Sequence, residues 1–125
     1  NASLDRCTAR PGFLDRFYEL FLASSGEVRE KFKNTNFERQ KEALRMSLYM
    51  MMTAHDWSTE CDAHLEEIAE RHSRHDLDIS PHLYDQWLAC LLQAVSEFDP
   101  IFDADVATAW TRTLQPGIQL MKSRY

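Results

Sequence analysis

The sequence predicts an all-α fold of about six to seven helices, and three observations carry that expectation. Only 3 glycines and 4 prolines interrupt 125 residues, so turns are few and elements are long. Apolar residues recur at i, i+3 and i+4 in block after block, the spacing of a helix with one buried face. No segment shows the strict alternation of a half-buried strand, and there is no internal repeat or low-complexity tract. The chain reads as a single domain, residues 1–125. That size lies in the usual domain range of ~100–150 residues and supports a hydrophobic core without cross-links.

The elements follow in order. Residues 12–24 place Phe13, Phe17, Leu20, Phe21 and Ser24 on one face, and Ser25-Gly26 ends the block. Glu27–Phe32 is a short helical turn, followed by the polar loop Lys33-Asn34-Thr35-Asn36. Asn36 is a plausible N-cap, because its side-chain oxygen can accept from a free amide of the next helix. Residues 37–56 read as a long helix with Gln40, Ala43, Leu44, Ser47, Leu48 and Met51 on one side. Arg39, Lys41, Glu42 and Arg45 populate much of the other, and Met50-Met51-Met52 reads as adaptable core filler. His55 to Thr59 breaks the pattern. Residues 60–74 form an amphipathic helix with Leu65, Ile68, Ala69 and His72 on one face. Ser80-Pro81 is a strong helix start, and that helix runs to about Phe98, where Asp99-Pro100 closes it. A last helix spans about 103–123, with Asp103 and Asp105 near its positive end. Pro116-Gly117 inside it is expected to kink or break it.

Composition excludes several function classes. With 14 Lys+Arg against 20 Asp+Glu, the net charge is −6, and no basic face for nucleic acid is visible. No apolar run approaches the ~20 residues of a membrane span, and no basic-then-apolar leader is visible. Cys7, Cys61 and Cys90 form no CxxC pair. Their odd number and wide spacing point to incidental thiols in a reducing, cytoplasmic setting. There is no Gly-rich phosphate loop and no GxSxG elbow, so nucleotide and hydrolase chemistry lack support. His72 and His75 stand three apart, but no HExxH or CxxC joins them as a zinc site. His72 is notable on other grounds: it lies on the apolar stripe of its helix, where an imidazole is either a satisfied core group or a neutral metal ligand.

Several segments together resemble bacterial globins, the single-domain haemoglobins and flavohaemoglobin globin domains. The stretch FYELFLASSGEVREKF around Phe17-Tyr18 is similar to their second and third helices. Gln40-Lys41-Glu42-Ala43-Leu44 resembles the start of their distal helix, and Ile68-Ala69-Glu70-Arg71-His72 resembles their proximal helix. Ala109-Trp110 matches a common pair in the last helix. The intervals also agree: 14 residues from Tyr18 to Phe32, 8 to Gln40 and 32 more to His72. The likeness covers about residues 10–123.

The resemblance implies a globin fold enclosing haem b (iron protoporphyrin IX), with His72 as the metal ligand. Phe32, Leu44, Leu48 and Tyr84 would line the haem, with Phe37 competing with Phe32 for the stacking position. Tyr18 and Gln40 would be hydrogen-bond donors to dioxygen or another diatomic gas, at a distal position that no His or Met is placed to fill. Each has a plainer alternative: Tyr18 as a core aromatic with its hydroxyl at the surface, Gln40 turned to solvent. Arg71, Arg74, His75, Lys41 and Arg45 are candidates for the haem propionates. The implied role is reversible dioxygen binding for storage or sensing, or nitric oxide dioxygenation with an external reductase. The oligomeric state, monomer or homodimer, stays open. The alternative is a haemless globin-fold module for dimerisation or regulation.

The sequence also departs from the family pattern. Gly26 stands where these globins usually carry Pro. A Tyr–Glu pair that hydrogen-bonds the proximal imidazole is incomplete here. Tyr84 is a candidate for its tyrosine, but the last-helix position falls near Tyr125, and no Glu lies beyond Ala109.

Overall fold

The computed structural model describes residues 2–53 and 59–125. Among them are seven helices and no strand: α1 (Ala2–Thr8), α2 (Phe13–Ser24), α3 (Gly26–Lys31), α4 (Phe37–Thr53), α5 (Thr59–His72), α6 (His82–Phe98) and α7 (Ala104–Ser123). None of the helices described is long and apolar enough to cross a membrane. His55 and the break expected at 55–58 lie outside the described residues.

Local chemistry sets most of the boundaries. Asn36 Oδ1 accepts from the amides of Glu38 and Arg39 at 3.1 and 3.3 Å, the cap that its position in sequence suggests. Ser25 Oγ accepts from Val28 N at 3.2 Å, and Asp103 Oδ1 from Val106 N at 2.9 Å. Gly12 precedes α2 in the left-handed region at φ 93°, which a residue with a Cβ adopts only under strain. α6 starts at His82, with Pro81 already helical at φ −53°, and Ser80 contributes its carbonyl to Leu83 N at 3.0 Å.

Two expectations are corrected. α1 is a helix that the sequence pattern did not single out, because seven residues are too few for periodicity to register. Pro116-Gly117 does not break α7, which runs continuously from Ala104 to Ser123. Pro116 is exposed and Arg112, the residue whose carbonyl loses its amide partner, is exposed as well, so water can replace the missing bond. Trp110, Leu114 and Ile118 are buried on both sides of the proline and hold the helix on the core.

That core gathers Phe13, Phe17 and Phe21 of α2, Leu48, Met51 and Met52 of α4, Leu65 and Ala69 of α5, and Leu91 and Val95 of α6. α2 packs along α6, and α5 along α7, while α4 lies on α7 and α2. The two helices α4 and α5 therefore find their main partners elsewhere rather than in each other. Where they do meet, Ser47 Oγ and His64 Nε2 are 3.1 Å apart.

Gly26 gives a stability prediction. It is the first residue of α3, follows the extended Ser25 cap (φ −164°, ψ 156°), and a Cβ there would meet only Arg29 Nη2 at 3.5 Å. Both its place and its neighbour suit proline. Gly26→Pro should stabilise the fold by about 0.4–1 kcal/mol, mainly by restricting the unfolded chain, as read from urea unfolding. A lower stability would mean that the turn into α3 needs glycine.

Candidate functional site

The Ser47–His64 contact fixes where α4 and α5 meet. From Ser47 back to Gln40 is seven residues of α4, and from His64 forward to His72 is eight residues of α5. At 1.5 Å rise per residue these are about 10 and 12 Å, both leading away from the connecting segment 54–58. Gln40 thus lies about two turns toward the start of α4 from that contact, and His72 about two turns toward the end of α5. Leu48 is fully buried, Leu44 and Gln40 are half-buried, and together they make one stripe of α4. Leu65 and Ala69 are buried, Ile68 and His72 half-buried, and they make the matching stripe of α5. Ala43, which spacing puts near the α4 stripe, is exposed.

Tyr18 is 5% exposed, and the Gln40 side chain lies near enough to its hydroxyl to favour the ionised phenol slightly. Burial pushes the phenol up to about 12, and Gln40 only partly opposes that. The group is a neutral donor at any physiological pH. The Tyr18 ring is buried and Gln40 is half-buried on α4. Phe32 and Phe37 present edges to the Tyr18 ring at centroid distances of 5.8 and 5.5 Å, and lie 5.9 Å from each other. Phe21 joins them 5.9 Å from Phe32. Both phenylalanines therefore belong to one aromatic cluster, beside Tyr18.

His72 is held from behind. Its Nδ1 lies 2.7 Å from the Ile68 carbonyl, one turn earlier. A carbonyl only accepts, so Nδ1 carries the proton and Nε2 keeps a free lone pair. Burial lowers the imidazole's pKa, which favours the neutral ring. The backbone around it is also fixed, since the carbonyls of His72 and Arg71 accept from Ile79 N and Leu77 N at 2.9 and 3.0 Å. Asp78 takes a left-handed φ of 53° in closing that turn, and Ser73 is buried beneath it.

Tyr84 is half-buried, and burial pushes its hydroxyl up to about 12, but it makes no hydrogen bond to His72. The ring nitrogen that such a bond would use is already taken by Ile68. Tyr125 bonds the Asp78 carboxylate instead of the imidazole. Among the propionate candidates, Lys41 pairs with Asp15 and Glu38, Arg45 with Glu42, and Arg74 covers the Tyr125 ring at 4.7 Å. Arg71 and His75 are exposed, with no ion pair among the described residues. No group of three or more His, Cys, Asp or Glu converges as a metal site among the described residues. His72 stands as a single-imidazole donor.

Sequence reasoning missed the Ser47–His64 bond and the Asp15 partner of Lys41. Ser47 shares its face of α4 with Leu44, Leu48 and Met51 and with one other polar side chain, Gln40.

The globin family model matches residues 15–118. The crystal structure of a protein from Pseudomonas aeruginosa, described as structurally highly homologous to a human hemoglobin, is similar at a TM-score of 0.88 and 42% identity, over 99% of this chain and 93% of that one. No curated protein matches the sequence.

Proposed function

Because the chain belongs to the globin family, in its bacterial form, we propose that it binds haem b and holds dioxygen reversibly. The observation that carries this reading is the neutral, back-bonded His72 on the inner stripe of α5, in a fold that also brings the half-buried Gln40 near the buried Tyr18. A haemless folding module has no use for that arrangement. Globins typically bind haem, and the residues present suit it: a free Nε2, a stripe of apolar side chains on each helix, and half-buried Phe32, Leu44 and Tyr84 beside the core.

When bound, the haem iron supplies a position for a diatomic ligand. The protein does the rest. His72 offers Nε2, and its bond to Ile68 keeps the ring in one tautomer and orientation. Leu44 and Leu48 exclude water. The Tyr18 hydroxyl donates a hydrogen bond to a ligand that carries partial negative charge, and Gln40 orients that hydroxyl or donates its own amide proton. A dioxygen ligand gains more from these donors than the less polar carbon monoxide. The same pocket would serve storage, sensing or nitric oxide dioxygenation, the last with an external reductase.

Tyr18→Phe keeps the ring and removes one donor. A hydrogen bond to a charged partner contributes about 1.5–3 kcal/mol, so dioxygen release should accelerate about 10- to 100-fold, with carbon monoxide release moving less. Stopped-flow dissociation of both gases tests this. Equal shifts for the two ligands, or none, would show that the hydroxyl does not face the bound gas.

A further inference from the structure

We propose that Lys41 is a positioning residue for the Tyr18–Gln40 pair, latching the first turns of α4 onto α2 through Asp15. This rests on the reading of Tyr18 and Gln40 as donors to the ligand. Lys41 follows Gln40 directly on α4, and its Nζ lies 2.6 Å from Asp15 Oδ1 and 2.8 Å from Glu38 Oε1. Asp15 sits three residues before Tyr18 on α2. The same two helices thus meet twice about one turn apart: inside, where Tyr18 packs on Phe37 and approaches Gln40, and outside, through the charged Lys41–Asp15 pair.

The surroundings give the outer link its leverage. Phe13, Leu14, Asp15, Glu38, Lys41 and Arg45 help to line a crevice of about 240 Å³ between α2 and α4. The crevice opens on the outer side of the seam, while the Tyr18–Phe37 ring contact at 5.5 Å holds its inner side. The Lys41 side chain is only 21% exposed, while Asp15 is 66% exposed. The lysine stem is packed and the carboxylate reaches to it from solvent. Because Asn36 caps the start of α4, the turn carrying Gln40 moves as a unit. Releasing the outer link lets that unit swing, and the Gln40 side chain with it.

An ion pair with one solvated partner is screened by salt, and this supplies a signature that packing alone would not give. The test uses the purified protein, with Asp15→Asn, Lys41→Met and the conservative Asp15→Glu. Amide hydrogen exchange is followed at Gln40 to Leu44, and dioxygen dissociation is followed in the haem-loaded protein, each at low and at high NaCl. In the parent, both rates should rise about two- to fivefold with salt. In Asp15→Asn and Lys41→Met both should be raised already at low salt and respond no further, and Asp15→Glu should restore the parent's behaviour. Parent-like exchange in Asp15→Asn at low salt would overturn the latch. So would faster exchange with an unchanged dioxygen off-rate, if Tyr18→Phe does speed release. If Tyr18→Phe has no effect on release, the donor reading fails, and exchange, which needs no haem, still decides whether Lys41 holds α4.

Discussion

Replacing His72 with Ala should abolish stable haem retention, with the Soret band of the loaded protein lost on gel filtration. The ring's two nitrogens play different parts. Nδ1 donates to Ile68 O at 2.7 Å, so Nε2 alone is free to ligate, and burial favours the neutral form that ligation needs. Losing an outer partner of a metal ligand already weakens affinity about 10- to 100-fold, so losing the ligand itself should exceed that. The fold should survive, since His72 is half-buried and its carbonyl, which accepts from Ile79 N, remains. Free imidazole fits the space left by the side chain and should restore the band. His75→Ala is the control: His75 is exposed three residues on, and its removal should leave the spectrum unchanged. A normal band in His72→Ala together with a lost one in His75→Ala would move the ligand to His75.

How much of this was legible in the sequence depends on the range of the interaction. The helices with an apolar stripe were readable because one face repeats, as in Phe13, Phe17 and Phe21 of α2 or Leu65 and Ala69 of α5. The Asn36 cap was readable because it is made within three residues. The back-bond from His72 to the preceding turn was also local. What periodicity could not show was chemistry set by pairing between distant segments. The Tyr18 hydroxyl and the Gln40 side chain are 22 positions apart, and only the fold decides whether they meet or turn to solvent. Tyr84 was a candidate by interval alone, and the Ile68 carbonyl pre-empts its partner. Pro116 misled for the same reason: local propensity opposes a helix there, and the burial of Trp110, Leu114 and Ile118 outweighs it.

The second large effect belongs to a residue outside the candidate site. Asp99 ends α6 with its side chain fully buried, and Arg6 grips it with two hydrogen bonds, Nε to Oδ1 at 2.7 Å and Nη2 to Oδ2 at 2.8 Å. Ser3 Oγ donates to Oδ2 at 2.6 Å and Ile101 N to Oδ1 at 3.0 Å, while Trp110 Nε1 donates to Ser3 Oγ at 2.8 Å. One carboxylate therefore ties α1 to the corner between α6 and α7. Removing one partner of a buried pair costs about 3–5 kcal/mol. Arg6 keeps 29% of its side chain in solvent and can rehydrate, so Asp99→Ala should fall near the lower end of that range. Asp99→Asn keeps the shape and should lose less. The pH dependence identifies the charge. The Arg6 guanidinium and the other donors hold the Asp99 carboxyl well below the usual carboxylate range. The unfolded chain, with an Asp near 3.9, binds the proton first as pH falls, so this contribution is complete above about pH 5 and declines through and below about pH 4. Urea unfolding of parent and Asp99→Asn at pH 7 and pH 3 should show a stability difference that shrinks at the lower pH. Other carboxylates titrate in both proteins and cancel from the comparison. A difference independent of pH would mean that Asp99 acts by shape and hydrogen bonding alone, with its charge contributing nothing to the fold.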